Sequence, residues 1–156
     1  IYPGKTATLE GLQDGAAIAI PNDGSNEARA LYLLQDLGLI TVSDANGYNI
    51  TVLDITENPH NLEITEIEAA QLPQILPDVD FAIINGNYAI GAGIDGTVLT
   101  TEDKDSAAAQ TYANIIAVLP GYEEDPLIVA LINALQTERV RTFINETYGI
   151  SVVPMF

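Results

Sequence analysis

Along the first half of the chain the apolar residues come in short unbroken runs, and each run ends at a polar turn. Ala16 to Ile20, held between Asp14-Gly15 and Pro21-Asn22, predicts a fully buried strand. A helix follows, with Ser25 as its cap, Ala28, Leu31, Leu34 and Leu37 at helical spacing, and Gly38 as its stop. Two turn clusters come next, Asp44 to Asn49 and Asn58-Pro59-His60-Asn61, and the β-branched stretch between them fits no template firmly. Leu62 to Ile67 then predicts a strand with at least one wet side, Ala69 to Leu76 a short helix interrupted by Pro73, and Asp78 to Ile84 a second buried strand. The order of strand, helix, turns, strand, helix and strand implies an α/β fold, with helices on the faces of a parallel or mixed sheet.

Beyond Gly91-Ala92-Gly93 the texture changes. The polar, Ala-rich stretch Thr101 to Gln110 predicts a linker or hinge, and Tyr112 to Leu119, carrying Ile115, Ile116 and Val118, predicts a strand. Two amphipathic helices are expected over Asp125 to Gln136 and Glu138 to Tyr148, closed by Gly149, with Ile150 to Phe156 as a last extended segment. The apolar stripes Leu127, Leu131, Leu135 and Val140, Phe143 are those of core packing. No repeat at a solenoid period is visible.

A chain of 156 residues with 47% hydrophobic content is long enough to bury a core of its own. Its 22 acidic against 5 basic residues give a net charge of −17, which argues against nucleic acid and against electrostatic docking on anionic membranes. A solvated acidic surface has the same composition, so the charge names no partner. The lack of cysteine excludes a disulfide scaffold, a thiolate zinc site and a Cys nucleophile. No apolar run approaches the roughly 18 residues of a membrane span, and no charged-then-apolar leader opens the chain. A start at Ile1-Tyr2-Pro3 reads as entry into a protein midway, with any export signal or anchor outside it.

Two polar turns carry the candidate chemistry, because small ligands in open α/β sheets bind just beyond the carboxyl ends of strands. The first, Pro21 to Arg29, combines the N–H groups of a helix start, the Asn26 amide and the Arg29 guanidinium, a donor set suited to a carboxylate. A cation this near a helix start calls for an anion, which is either a ligand or one of the chain's many acids. The second turn is Asn85-Gly86-Asn87-Tyr88. Asn85 offers a donor and an acceptor, as an α-amino and α-carboxylate pair requires, or else caps the next helix in an Asx turn.

These turns belong to a longer set of strings. Asp14-Gly15 through Ile20, Pro21-Asn22-Asp23-x-x-Asn26-x-x-Arg29-Ala30-Leu31, Glu57-Asn58-Pro59, Glu68-Ala69-Ala70-Gln71-Leu72-Pro73, Ile84-Asn85-Gly86-Asn87-Tyr88-Ala89, Glu102-Asp103-Lys104-Asp105-Ser106 and Tyr112-Ala113-Asn114-Ile115-Ile116 occur in order. Together they resemble the NlpA/MetQ-type methionine-binding lipoproteins of bacterial ABC importers, nearly end to end. The resemblance implies a periplasmic-binding-protein-like (type II) α/β fold that closes two lobes on methionine or a related amino acid or dipeptide. It matches Arg29 to the position holding the ligand carboxylate, and Asn85 and Asn26 to positions that hydrogen-bond the amino-acid head. Residues 1–7 correspond to a hinge strand, 8–105 to the second lobe, and 106–156 to a hinge strand and the C-terminal part of the first. The family's N-terminal segment is missing, so the partners implied are an ABC importer permease and that segment or a swapped chain. The implied location is extracytoplasmic, lipid-anchored in the intact parent, and the implied protein needs no cofactor or metal and performs no reaction.

Other motifs read as ordinary loops and turns. Gly91 to Gly96 matches GxGxxG, yet a Thr- and Val-rich run follows and Ile116 stands where a ribose-binding acid belongs, so it reads as a loop. Asp44-Ala45-Asn46-Gly47 departs from a calcium loop at its Gly and closing positions and reads as a plain turn. His60, the only histidine, reads as a solvent-facing turn residue. The rival reading is an enzyme on a doubly wound sheet that processes a small acid in the same crevice. It lacks a nucleophile or base positioned beside Arg29 and Asn85.

Overall fold

The computed structural model describes residues 1–43, 47 and 49–156, with Ala107 and Ala108 described by backbone alone. Its centre is a four-stranded mixed sheet ordered β1 (Tyr2–Pro3), β6 (Phe81–Ala82), β2 (Ala17–Pro21) and β5 (Glu63–Ile67). β2 runs parallel to both neighbours, with Ala19 facing Thr65 on one side and Ala82 on the other. β1 is antiparallel to β6 at one edge. β5 forms the other edge and keeps exposed Glu63, Thr65 and Glu66, as its mixed pattern requires. A small antiparallel pair, β3 (Thr41–Val42) with β4 (Ile55–Glu57), lies apart and accounts for part of the stretch that sequence alone left open.

Alternation along β2 divides the core between two faces. Ile18 and Ile20 pack with Ala28, Leu31 and Leu34 of α1 (Gly24–Asp36) and with Phe81, all nearly fully buried. Ala19 points the other way, into a second cluster with Tyr2, Leu72 of α2 (Leu72–Ile75), Ala82 and Ala89 of α3 (Gly86–Ala92). The chain therefore leaves β2 toward one face of the sheet and leaves the adjacent β6 toward the other. That divergence opens a crevice beyond their carboxyl ends.

Several local expectations need correction. Asp23, rather than Ser25, is the N-cap of α1, its carboxylate accepting the Asn26 N–H at 3.2 Å. A carboxylate is a stronger acceptor than a hydroxyl at this positive helix end. The helix stops where predicted, with Gly38 at φ 71°, a left-handed conformation that glycine takes without a Cβ clash. Leu37 is the exposed C-cap. Pro73 opens α2 instead of interrupting it, since the first turn of a helix has no use for the N–H that proline lacks.

The second half follows its helical predictions more closely than its strand prediction. α5 (Pro126–Leu135) and α6 (Glu138–Tyr148) form as expected, and Gly149 ends α6 at φ 54°. Part of the supposed linker is a short helix, α4 (Ala107–Thr111), begun by Ser106, whose Oγ accepts the Ala109 N–H. Tyr112 to Leu119 pairs with no strand among the described residues. Its β-branched content favours extension, but an extended segment becomes a strand only when another edge takes up its backbone groups. Ile115 and Leu119 are accordingly exposed, as are Leu127 of α5 and Phe143 of α6. In the tail, Gly149–Ser151 make a 3-10 turn before the irregular stretch 152–156.

Candidate functional site

Arg29 and Asn26, close together on α1, and Asn85, far along the chain from both, line one cleft of about 790 Å3 beyond the carboxyl ends of β2 and β6. Glu102, Tyr112 and the C-terminal stretch through Phe156 form its other walls. No helix is long and apolar enough to cross a membrane among the described residues, and no group of acids and histidine there could hold a metal.

A relay of amides joins the two turns. Asn85 donates through Nδ2 to Asn26 Oδ1 at 2.7 Å, and Asn26 donates through its own Nδ2 to the two Asp23 oxygens at 3.0 and 3.1 Å. Ionised Asp23 only accepts, so Asn26 must turn its NH2 toward it and its oxygen toward Asn85. Asn85 must then donate to Asn26, which leaves its Oδ1 sealed from solvent with no hydrogen-bond donor. A buried orphan acceptor costs about 1–3 kcal/mol, a cost that a ligand N–H would offset. Asn85 stands at the N-cap position of α3 yet makes no side-chain cap bond, so the Asx-turn alternative is not the one adopted.

The Arg29 side chain is two-thirds buried and pairs with Glu102, Nη2 to Oε2 at 2.7 Å and Nε to Oε1 at 3.4 Å. Its guanidinium carbon lies 5.6 Å from the Tyr112 ring centroid, in cation–π range. The acid that Arg29 required therefore comes, in this state, from within the chain. Arg29 stands in the second turn of α1, not the first, and the helix start is already capped by Asp23. The donors facing the cleft are thus side chains rather than helix-end amides. Glu102 and Tyr112 stand in strings that carry the resemblance, yet nothing in their spacing ties either to Arg29, 73 positions from Glu102, as a site partner.

Two of the remaining motifs lie within the described residues. Gly91 and Ala92 complete α3 and Gly93 ends it at φ 69°, so the GxGxxG match lies at a helix C-terminus, the wrong pole for a phosphate. His60 is half-exposed with Nδ1 3.3 Å from Asp14 Oδ1. The Asp44-Ala45-Asn46 turn lies outside the described residues.

Residues 1–156 match the NlpA lipoprotein family over their full length. The chain belongs to the NlpA lipoprotein family. Membrane lipoprotein TpN32 of Treponema pallidum (strain Nichols) is 44% identical over 145 residues, covering 90% of this chain and 52% of that protein. The D-methionine-binding lipoprotein MetQ of Escherichia coli (strain K12) is 39% identical over 154 residues, 95% of this chain and 55% of that protein. Among solved structures, a nutrient-binding protein from Burkholderia cenocepacia bound to methionine superposes with a TM-score of 0.85 at 42% identity, covering 100% of this chain and 67% of that one. The fold is thus the α/β fold of the substrate-binding lipoproteins. This NlpA-family chain spans about half the length of the curated relatives it matches.

Proposed function

We propose that the chain is part of the substrate-binding component of an ABC amino-acid importer, taking methionine or a closely related amino acid or dipeptide between two lobes. Convergence of Arg29 with the Asn26–Asn85 relay on a single cleft carries this reading. Arg29 grips the ligand carboxylate with donors that Glu102 leaves free, Asn85 Oδ1 accepts from the ammonium, and Asn26 holds Asn85 in orientation. Residues 8–105 act as the second lobe, 1–7 and the start of 106–156 as hinge strands, and the remainder as the C-terminal part of the first lobe. The apolar residues left exposed on 115–143 support this division, since they fit a core completed by an N-terminal segment of the same protein or by a swapped chain. Such a protein performs no reaction: ligand shifts it toward a closed form presented to a membrane permease. As the lipoprotein relatives suggest, the intact parent is lipid-anchored on the extracytoplasmic side of the cell envelope.

Calorimetry of the intact protein with L- and D-methionine tests this directly. Arg29→Ala should weaken binding by about 2–5 kcal/mol, from thirtyfold to several thousandfold, because it strands a desolvated carboxylate. Unchanged affinity in a folded variant would remove Arg29 from the site.

A further inference from the structure

Resting on the amino-acid-binding reading, we infer that Glu102 sets the charge selectivity of the cleft by holding Arg29 on one edge, leaving the other edge to a ligand that carries no net charge. A guanidinium has two edges that can each face a carboxylate with paired N–H groups: the side edge of Nε and one Nη, and the end edge of the two Nη atoms. Glu102 takes the side edge, through Nε and Nη2. Nη1 makes no hydrogen bond among the described residues, so the end edge keeps its parallel pair of N–H groups. The Tyr112 ring, its centroid 5.6 Å from the guanidinium carbon, adds a cation–π attraction that helps hold Arg29 in place.

The consequence is electrostatic. The charged side chains among the described residues lining the cleft are those of Arg29, Glu102 and Lys104. The Lys104 ammonium is held by Asp105 at 2.6 Å, and the Arg29–Glu102 pair is neutral as a unit. Glu102 is the more enclosed partner, its side chain 18% exposed against 33% for Arg29, so water screens it poorly. A zwitterion entering this cleft adds no net charge, and on the amino-acid-binding reading its ammonium supplies the donor that the buried Asn85 Oδ1 lacks. A ligand with a carboxylate and no ammonium brings an uncompensated negative charge against Glu102 across a single guanidinium. An unpaired Arg29 would instead favour anions.

The test uses the intact protein, its Glu102→Gln and Glu102→Asp variants, and two probes: methionine, and 4-(methylthio)butanoate, which is methionine without its amino group. Gln keeps the shape and one acceptor for Arg29 but removes the charge. The Gln variant should weaken methionine about tenfold and shift the preference for methionine over the anionic analogue by at least tenfold toward the anion. Asp should restore the wild-type preference. A loss of equal factor for both probes makes Glu102 a purely structural partner and overturns the inference. Tighter methionine binding also overturns it, since Glu102 would then be a competitor for the ligand edge. A wild type that binds neither probe overturns the amino-acid-binding reading and this inference with it, a result distinct from an unchanged preference in a wild type that binds.

Discussion

Asn85 donates to Asn26 at 2.7 Å across 59 positions of chain, tying the end of one central strand to the helix that follows its neighbour. The bond's direction is fixed one residue further back, by Asp23, which cannot donate. A capping residue of α1 thereby decides which atom of Asn85, a residue of a different loop, stays free. The cap of α1 and the orientation of the Asn85 amide are coupled through three short side chains.

Asp23→Asn separates those two roles. Asn caps helices about as well as Asp, so the denaturant midpoint should move by no more than about 0.5 kcal/mol. Asn also donates, so Asn26 gains a second amide orientation and Asn85 is no longer held with its oxygen free. Methionine affinity of the intact protein should fall about tenfold, or about 1.4 kcal/mol by calorimetry. A variant of normal affinity would show that the relay does not orient Asn85.

Gly86 is the second junction. A Cβ on it would stand 2.5 Å from the Ser151 carbonyl oxygen, so the start of α3 and the tail after α6 can touch only while residue 86 is glycine. Gly86→Ala should destabilise the protein by about 1–3 kcal/mol, the usual cost of forcing a methyl into a filled space. It should also weaken methionine binding, because Ser151 and its neighbours line the cleft. Gly24→Ala is the control: it sits in α1 with nothing within 4 Å of the added methyl, so it should leave affinity unchanged and raise stability, if anything, by up to about 1 kcal/mol. Equal behaviour of the two variants would mean that the tail is not held at Gly86.

What sequence disclosed and what it did not divides along a physical line. β2 and α1 were legible because both faces of one and one stripe of the other are buried, and burial writes itself into the spacing of Ile18, Ile20, Ala28, Leu31 and Leu34. Arg29, Asn26 and Asn85 were candidates because each follows a strand end, the first two on the helix after β2 and the third in the turn after β6, and the cleft does gather them. Their partners were not. Pairing between Arg29 and Glu102, or between Asn26 and Asp23, is a choice among 22 acids that no periodicity records. Tyr112 to Leu119 failed for a related reason: its strand character depends on a neighbouring edge, which is a property of the fold rather than of the segment.

Glu27 gives the last prediction. It lies in the first turn of α1, only 4% exposed, and accepts the Val52 N–H at 3.0 Å. Burial pushes its carboxyl above the usual range; the Val52 N–H opposes this, while the nearby acids Glu66 and Asp54 add to it, and Glu66 shares a hydrogen bond with it. The folded protein therefore keeps this proton to a higher pH than the unfolded chain does. Below the ordinary value of 4.5 the carboxyl is protonated in both states, and its contribution to stability is fully present. As pH rises through the folded value the buried group must ionise, and that contribution is lost. Glu27→Gln keeps an acceptor for Val52 and supplies a permanent donor for Glu66, so it undergoes no such loss. The stability of the variant minus that of the wild type, from urea midpoints of the intact protein, should grow as pH rises above 4.5 and level off once the wild-type group is ionised. A difference that stays flat from pH 4 to pH 8 would show that Glu27 folds with its proton no more tightly held than in the open chain.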